Sequence, residues 1–253
     1  HSHLLASTIP NCVAYDPAYA YELAVIVHEG LRRMYQEKES VYYYITTMNE
    51  NYAHPPMPEG AEEGILKGMY LLEDSSQKAY KTEGKLATDD RIRLLGSGTI
   101  LREVREAAAI LRDKYKVAVD VWSVTSFNEL RREGIDVLRH NMLHPAAKDK
   151  VPYVTQCLQG VSGPVIAATD YMRIHADQVR EYIPETYRVL GTDGFGRSDT
   201  RQNLRWFFEV DRHFIVLAAL TELRQRKVVT AATVNKAMKE MGIDPDKGNP
   251  IFC

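Results

Sequence analysis

The sequence predicts an α/β protein built in two segments, and three observations carry that reading. Short apolar, β-branched runs alternate with longer stretches of helical periodicity, the order expected of parallel sheets covered by helices. The alternation is interrupted by a polar, charged, aliphatic-poor stretch from Asp74 to Asp90, which reads as an interdomain linker. With 253 residues and 45% hydrophobic content, the chain has apolar material for one large or two ordinary domains.

The elements follow in order. Asn11 to Tyr15 is short and β-prone. Asp16-Pro17 then supplies a helix cap and a proline at the first helical position, and Leu23, Ile26, Val27, Leu31 and Met34 form one apolar helical face. Val41 to Thr47 is β-branched and aromatic, a strand expected to be central and buried on both faces. Pro55, Pro56 and Pro58 end it, and Glu59 to Leu72 reads as a helix. Beyond the linker, Ile92 to Leu95 is a strand and Gly96-Ser97-Gly98 its turn. Ile100, Val104, Ala108, Leu111 and Tyr115 mark the next helix. Val117 to Val124 is a strand, Glu129 to Arg139 a helix, and His144-Pro145 an irregular stretch. Val165 to Ala168 is a strand, after which Asp170 caps a helix carrying Met172, His175, Val179 and Tyr182. Arg188 to Leu190 is a last short strand. A glycine-rich loop follows, and helices including Phe214 to Arg224 and Ala231 to Met241 close the chain.

Composition excludes several classes. The formal charge of -2, with charges spread along the chain, gives no nucleic-acid footprint. No apolar run approaches a membrane span, and the start lacks a basic-then-apolar signal pattern. Cys12, Cys157 and Cys253 have no metal-ligand spacing and read as reduced thiols of a cytoplasmic protein.

Four places could carry chemistry. Gly96-Ser97-Gly98 sits between strand and helix, where backbone N–H groups can meet a phosphate. The dinucleotide fingerprint, however, needs a third glycine where Leu101 stands, although Asp120 lies near the ribose-binding position. Gly191-Thr192-Asp193-Gly194-Phe195-Gly196-Arg197-Ser198-Asp199 reads as a shaped interface loop or a ligand cradle. Within it, Asp193 could pair with Arg197, and Asp199 could cap the next helix. His1 and His3 bring imidazoles, which exchange protons near neutral pH. Asn49-Glu50-Asn51-Tyr52 follows a strand, and ligands of open α/β sheets collect beyond the carboxyl ends of strands. His28, His54, His140, His144, His175 and His213 show no triad or zinc spacing, and His28 and His175 read as packing residues.

Several long strings resemble one family. They are Ile9-Pro10-Asn11 through Tyr15-Asp16-Pro17-Ala18-Tyr19-Ala20-Tyr21-Glu22, Val41-Tyr42-Tyr43-Tyr44-Ile45-Thr46-Thr47-Met48-Asn49-Glu50-Asn51-Tyr52 and Met57-Pro58-Glu59-Gly60-Ala61-Glu62-Glu63-Gly64. Leu94-Leu95-Gly96-Ser97-Gly98, Ser123-Val124-Thr125-Ser126-Phe127 and Arg188-Val189-Leu190-Gly191 through Asp199 continue the likeness. Together they resemble the homodimeric bacterial pyruvate dehydrogenases, thiamine-diphosphate enzymes of the transketolase-like family. The resemblance implies that residues 1–73 are the second half of a pyrimidine-binding domain, 74–90 a linker and 91–253 a complete transketolase-like C-terminal α/β domain with a mainly parallel sheet. It further implies oxidative decarboxylation of pyruvate with thiamine diphosphate and magnesium in a cytoplasmic homodimer. The acetyl group then passes to a lipoyl arm of the dihydrolipoyl acetyltransferase.

Within that likeness His1-Ser2-His3 matches the end of a histidine-containing segment that reaches the active site, so His1 and His3 are the expected catalytic residues. The likeness also favours a cut natural chain over a tag remnant for the start at His1. The family's glycine-aspartate-glycine motif for magnesium and diphosphate is absent, as is the glutamate that protonates the aminopyrimidine, so the chain by itself is expected to be inactive. Two other readings compete: a transketolase-type ketose enzyme, and a noncatalytic dimerisation or docking module.

Overall fold

The structure, a computed structural model, describes residues 1–81 and 90–253. It begins with a short helix, α1 (Ser2–Ala6), and strand β1 (Cys12–Tyr15). Helix α2 (Ala20–Leu31) continues into a π-helical turn and returns the chain to β2 (Tyr42–Ile45), which pairs parallel with β1.

Three sequence expectations change here. Asp16 does not cap α2: Tyr19 is its N-cap, and the Glu22 carboxylate accepts the backbone N–H of both Ala18 (2.5 Å) and Tyr19 (3.0 Å). The inward row of α2 is Glu22, Ile26 and Gly30, while Val27 and Leu31 are 42% and 51% exposed. Val13, Tyr15 and Ile65 are packed with Ile26, so the fold selects that row over the more hydrophobic one. Finally, β2 is not a strand buried on both faces. Among the described residues it pairs only with β1, and its side chains are exposed or half-buried.

The stretch expected as one helix from Glu59 to Leu72 is a helix followed by a strand. Helix α3 (Glu62–Lys67) stops at Gly68, whose φ of 109° is open to glycine and costly for other residues. Strand β3 (Met69–Glu73) then pairs antiparallel with β5 (Val119–Val124), placing Met69 opposite Val124 and Tyr70 opposite Ser123. A stretch expected as helix in the first segment is thus a strand hydrogen-bonded into the sheet of the second. Of the expected linker, residues 82–89 lie outside the described residues.

The second sheet has five strands in the order β3-β5-β4-β6-β7, with β4 (Ile92–Gly96), β6 (Val165–Ala168) and β7 (Tyr187–Leu190). All pairings except β3 with β5 are parallel, so the expected mainly parallel sheet is present. Alternate residues serve opposite faces, as the pleat requires. Leu94, Val121 and Ile166 pack with α4 (Ile100–Tyr115), α9 (Arg212–Gln225) and α10 (Ala231–Glu240). Leu95, Val124, Val165 and Ala167 pack with α5 (Phe127–Leu143), α6 (Tyr153–Leu158) and α7 (Arg173–Asp177).

The caps differ in detail from expectation. Ser126 Oγ accepts from the Glu129 N–H at 3.0 Å, starting α5 two residues earlier than the sequence suggests. Met172 rather than Asp170 is the N-cap of α7, and the expected longer helix is broken into α7 and a 3₁₀ turn at Arg180–Tyr182. Helix α8 (Arg201–Phe207) is capped by Thr200, whose Oγ1 accepts from the Asn203 N–H, while Asp199 accepts from the Thr200 N–H and the Asn203 amide.

A candidate active site at the carboxyl ends of the strands

The two sheets meet at their carboxyl ends. The Asp16 N–H donates to the Thr125 carbonyl at 2.7 Å, and Ser126 Oγ donates to the Ala14 carbonyl at 2.6 Å. These bonds bring the end of β1 beside the turn after β5; the Gly98 N–H, donated to the Asp16 carbonyl, adds the turn after β4, and the contacts of His3 with Thr46 and Tyr171 add the residues after β2 and β6. Polar groups taken from so many chain segments can form a site only after the sheet is assembled.

His3 lies at the centre of this junction. Its side chain is 2% exposed, and Asn128 Nδ2 donates to its backbone carbonyl at 3.0 Å. His3 Nε2 is 2.8 Å from Thr46 Oγ1, and Thr46 Oγ1 donates to Asp16 Oδ1 at 2.7 Å. The imidazole is ringed by Tyr171, His175 and Tyr44, with centroid separations of 4.9, 5.2 and 5.3 Å. Burial lowers its pKa to about 4, so the ring is neutral at physiological pH and can accept or donate a single proton.

His175, which the sequence reads as packing, stands against His3, Tyr171 and Phe127. Burial, followed by the neighbouring His3, lowers its pKa to about 3. Its Nδ1 is a buried atom without a hydrogen-bond partner. Because both imidazoles take up a proton more readily in the unfolded chain, stability rises with pH between those lowered values and the ordinary value near 6.5. The expected result is that His175→Leu narrows the gap between the unfolding temperatures at pH 4.5 and 7.5. An unchanged gap would show that His175 carries none of this linkage.

Asp16 is a buried acid of the junction. Burial raises its pKa to about 7, against the pull of hydrogen bonds from Thr46 and Ser97. Its backbone carbonyl accepts the Gly98 N–H at 3.1 Å. Gly98 has φ 51°, and a Cβ there would lie 2.6 Å from Asp16 Oδ2. The Gly96-Ser97-Gly98 turn is therefore filled by this chain's own carboxylate, which takes the place a nucleotide phosphate would need. Asp120, the ribose candidate, accepts the Ser75 N–H at 2.8 Å and faces Arg91, so it works as a structural acid.

The other sequence candidates separate. His1 is exposed, and its Nδ1 accepts the Met172 N–H at 3.3 Å. It borders a cavity of about 340 Å³ shared with Met48, Asp170, Thr192, Gly194 and Arg197, so His1 and the glycine-rich loop meet. Asp193 does not pair with Arg197: it pairs with Arg173 at 3.0 Å, and the Arg197 guanidinium lies over the Phe207 ring at 3.9 Å. Asn49 and Glu50 hold α4 and α8 to the first segment: Glu50 binds Arg102 (2.6 Å) and Arg205 (2.5 Å), and Asn49 binds Arg201 (2.6 Å). Sequence reading missed Thr46, Tyr171 and Asn128, and gave Asp16 the wrong task. The only local signal was the recurrence of Thr and Asp directly after strands, which turns and caps produce equally well.

Residues 68–211 match the family described as the transketolase-like TK C-terminal domain, which is more than half of the chain. The chain belongs to the transketolase-like C-terminal domain family. Residues 1–55 of this transketolase-like chain match the pyruvate dehydrogenase E1 component middle domain. It is 58% identical to the pyruvate dehydrogenase E1 component of Pseudomonas aeruginosa over 100% of its own length and 28% of that protein. With the component from Escherichia coli the identity is 57%, over 99% of this chain and 27% of that protein. The chain thus spans little more than a quarter of the length of these relatives, and the likeness drawn from its motifs to the pyruvate dehydrogenases is borne out across it. Solved transketolases share the fold: that of Campylobacter jejuni has a TM-score of 0.57 at 17% identity, covering 86% of this chain and 27% of that one. That of Leishmania mexicana has a TM-score of 0.53 at 17% identity, covering 88% and 27%. Among the described residues no helix is long and apolar enough to cross a membrane.

Proposed function

We propose that this transketolase-like chain is part of a pyruvate dehydrogenase E1 component. Such an enzyme decarboxylates pyruvate with thiamine diphosphate and passes the acetyl group to the lipoyl arm of a dihydrolipoyl acetyltransferase. The observation that carries the reading is the 58% identity, across the full chain, to a protein of that name. The buried His3 supports it as a neutral imidazole among strand ends, able to exchange a proton with a reacting oxygen. His1, on the rim of the adjoining cavity, can orient an approaching group.

Thiamine diphosphate, when bound, supplies the carbanion and the electron sink. The donor set here does not fit its magnesium and diphosphate end: among the described residues, no three His, Cys, Asp or Glu side chains converge to hold a metal ion. We infer that this end is held by other parts of a longer polypeptide, a homodimer of the cytoplasm, and that this chain by itself is inactive.

The test is turnover by the full-length polypeptide with thiamine diphosphate and magnesium present. Pyruvate-dependent carbon dioxide release, coupled to an artificial electron acceptor, is expected. Two-carbon transfer between ketose and aldose phosphates in the absence of pyruvate turnover would establish the transketolase reading instead.

A further inference from the structure

The bonds between Asp16, Thr46 and His3 form a line in which one hydroxyl proton has to serve two neighbours. Thr46 Oγ1 lies 2.7 Å from Asp16 Oδ1, 2.8 Å from His3 Nε2 and 3.4 Å from the Tyr15 carbonyl. A hydroxyl donates one hydrogen bond and accepts others. We propose that Asp16, acting through Thr46, decides which ring nitrogen of His3 carries the proton, so that Asp16 and Thr46 are positioning residues for the histidine. This inference rests on the functional reading above for its effect on turnover, but its geometry is independent of that reading.

The logic follows from donor and acceptor capacity. An ionised Asp16 can only accept, so Thr46 gives its proton to Oδ1 and its lone pair receives the N–H of His3 Nε2. The neutral imidazole then presents Nδ1 as its acceptor. When Asp16 takes up one proton, the line reverses: the carboxyl donates to Thr46, and Thr46 donates to Nε2. The ring remains neutral with its single N–H on Nδ1. One proton is gained, at Asp16, and the imidazole only exchanges one tautomer for the other.

The surroundings make the arrangement selective. Asp16 is 6% exposed and His3 2%, so bulk water does not compete for either bond. The ionisable groups facing Asp16 are Glu22 from α2, Asp170 and Tyr171 from the loop after β6, and His3 through Thr46. Burial above all, with a smaller push from both acids, opposes ionisation of Asp16, and Thr46 and Ser97 favour it by hydrogen bonding, which holds its titration near pH 7 rather than in the usual carboxylate range. The two tautomers therefore exchange within the working range of the protein.

Four variants of the full-length polypeptide test this, read as kcat and KM for pyruvate against pH, with thermal unfolding to confirm that each folds. Thr46→Val keeps the volume and deletes the hydroxyl; it is expected to lower kcat roughly 10- to 100-fold with little change in KM, as misorientation of a reacting group does. Thr46→Ser restores the hydroxyl and is expected to recover most of that loss. Asp16→Asn cannot change protonation, and is expected to abolish an inflection near pH 7 that the parent shows. Should Thr46→Val fail to fold, the Asp16→Asn profile decides. A His3→Ala loss accompanied by parent-like kcat in Thr46→Val, or by a parent-like pH profile in Asp16→Asn, overturns the relay and leaves the functional reading intact. Parent-like turnover in His3→Ala removes His3 from the reaction and overturns the relay with it, whereas absence of pyruvate turnover in the parent polypeptide overturns the functional reading itself.

Discussion

Replacing His3 by alanine in the full-length polypeptide lowers kcat for pyruvate by about 10²–10⁴-fold, the usual contribution of a placed proton-transfer group. The expectation comes from position and from charge state. His3 is buried where the carboxyl ends of both sheets converge, and its ring is neutral down to about pH 4, which leaves one nitrogen lone pair and one N–H for work at neutral pH. Thr46 and three aromatic or imidazole rings surround the imidazole, and the Asn128 amide holds the His3 backbone carbonyl. His1 lacks such support. It is exposed and tied only by a 3.3 Å bond to the Met172 N–H, so His1→Ala is expected to cost tenfold or less by the same comparison. Steady-state kinetics on the two variants separates the roles. An equal loss in both would assign the proton transfer jointly, and a larger loss at His1 would move it there.

Glu22→Ala is expected to be the most destabilising single change in the junction between the segments. The Glu22 carboxyl lies at the first turn of α2 and is fully buried. Oε2 accepts the N–H of Ala18 and Tyr19, and Oε1 accepts the hydroxyls of Tyr70 (2.6 Å) and Ser123 (2.6 Å). One side chain therefore caps α2 and ties it to β3 and β5. Alanine leaves the Ala18 and Tyr19 N–H groups and the Ser123 hydroxyl without this buried acceptor, while the Tyr70 hydroxyl keeps Tyr21 as a partner at 2.6 Å; each orphaned group costs about 1–3 kcal/mol, so a total of at least about 3 kcal/mol is expected. For a chain of this size that corresponds to a fall in unfolding temperature of roughly 6–12 °C. Glutamine is no rescue, because its NH₂ would face donors. Thermal unfolding followed by circular dichroism checks the value, and a fall of less than about 2 °C would show that water enters to satisfy the freed groups.

The regular elements were legible because their causes are local. Val165–Ala168 and the helix over Ile100–Tyr115 follow from apolar spacing that a strand or a helix alone can satisfy. The Met69–Glu73 strand was not, because its helix-compatible composition is overridden by a partner about 50 residues away: Met69 and Tyr70 pair with Val124 and Ser123 only once β5 exists. The same limit applies to the site. His3, Asp16, Thr46, Asn128 and His175 come from five separate parts of the chain, and no spacing rule links them. His175 is a case in point: a histidine on a helix face gives no sign in sequence that a second imidazole will stand 5.2 Å away.

Local pattern and long matching strings in the sequence determined the alternating α/β class, the mainly parallel second sheet, the family likeness and the histidines at the start of the chain. Tertiary structure alone decided which of those histidines is buried, which face of α2 turns inward, and that Asp16 meets Thr46 instead of capping a helix. The physical reason is one of range. Periodicity and propensity act within a few residues, whereas burial and hydrogen bonding at the junction depend on groups up to about 170 positions apart, brought together only when the strands assemble.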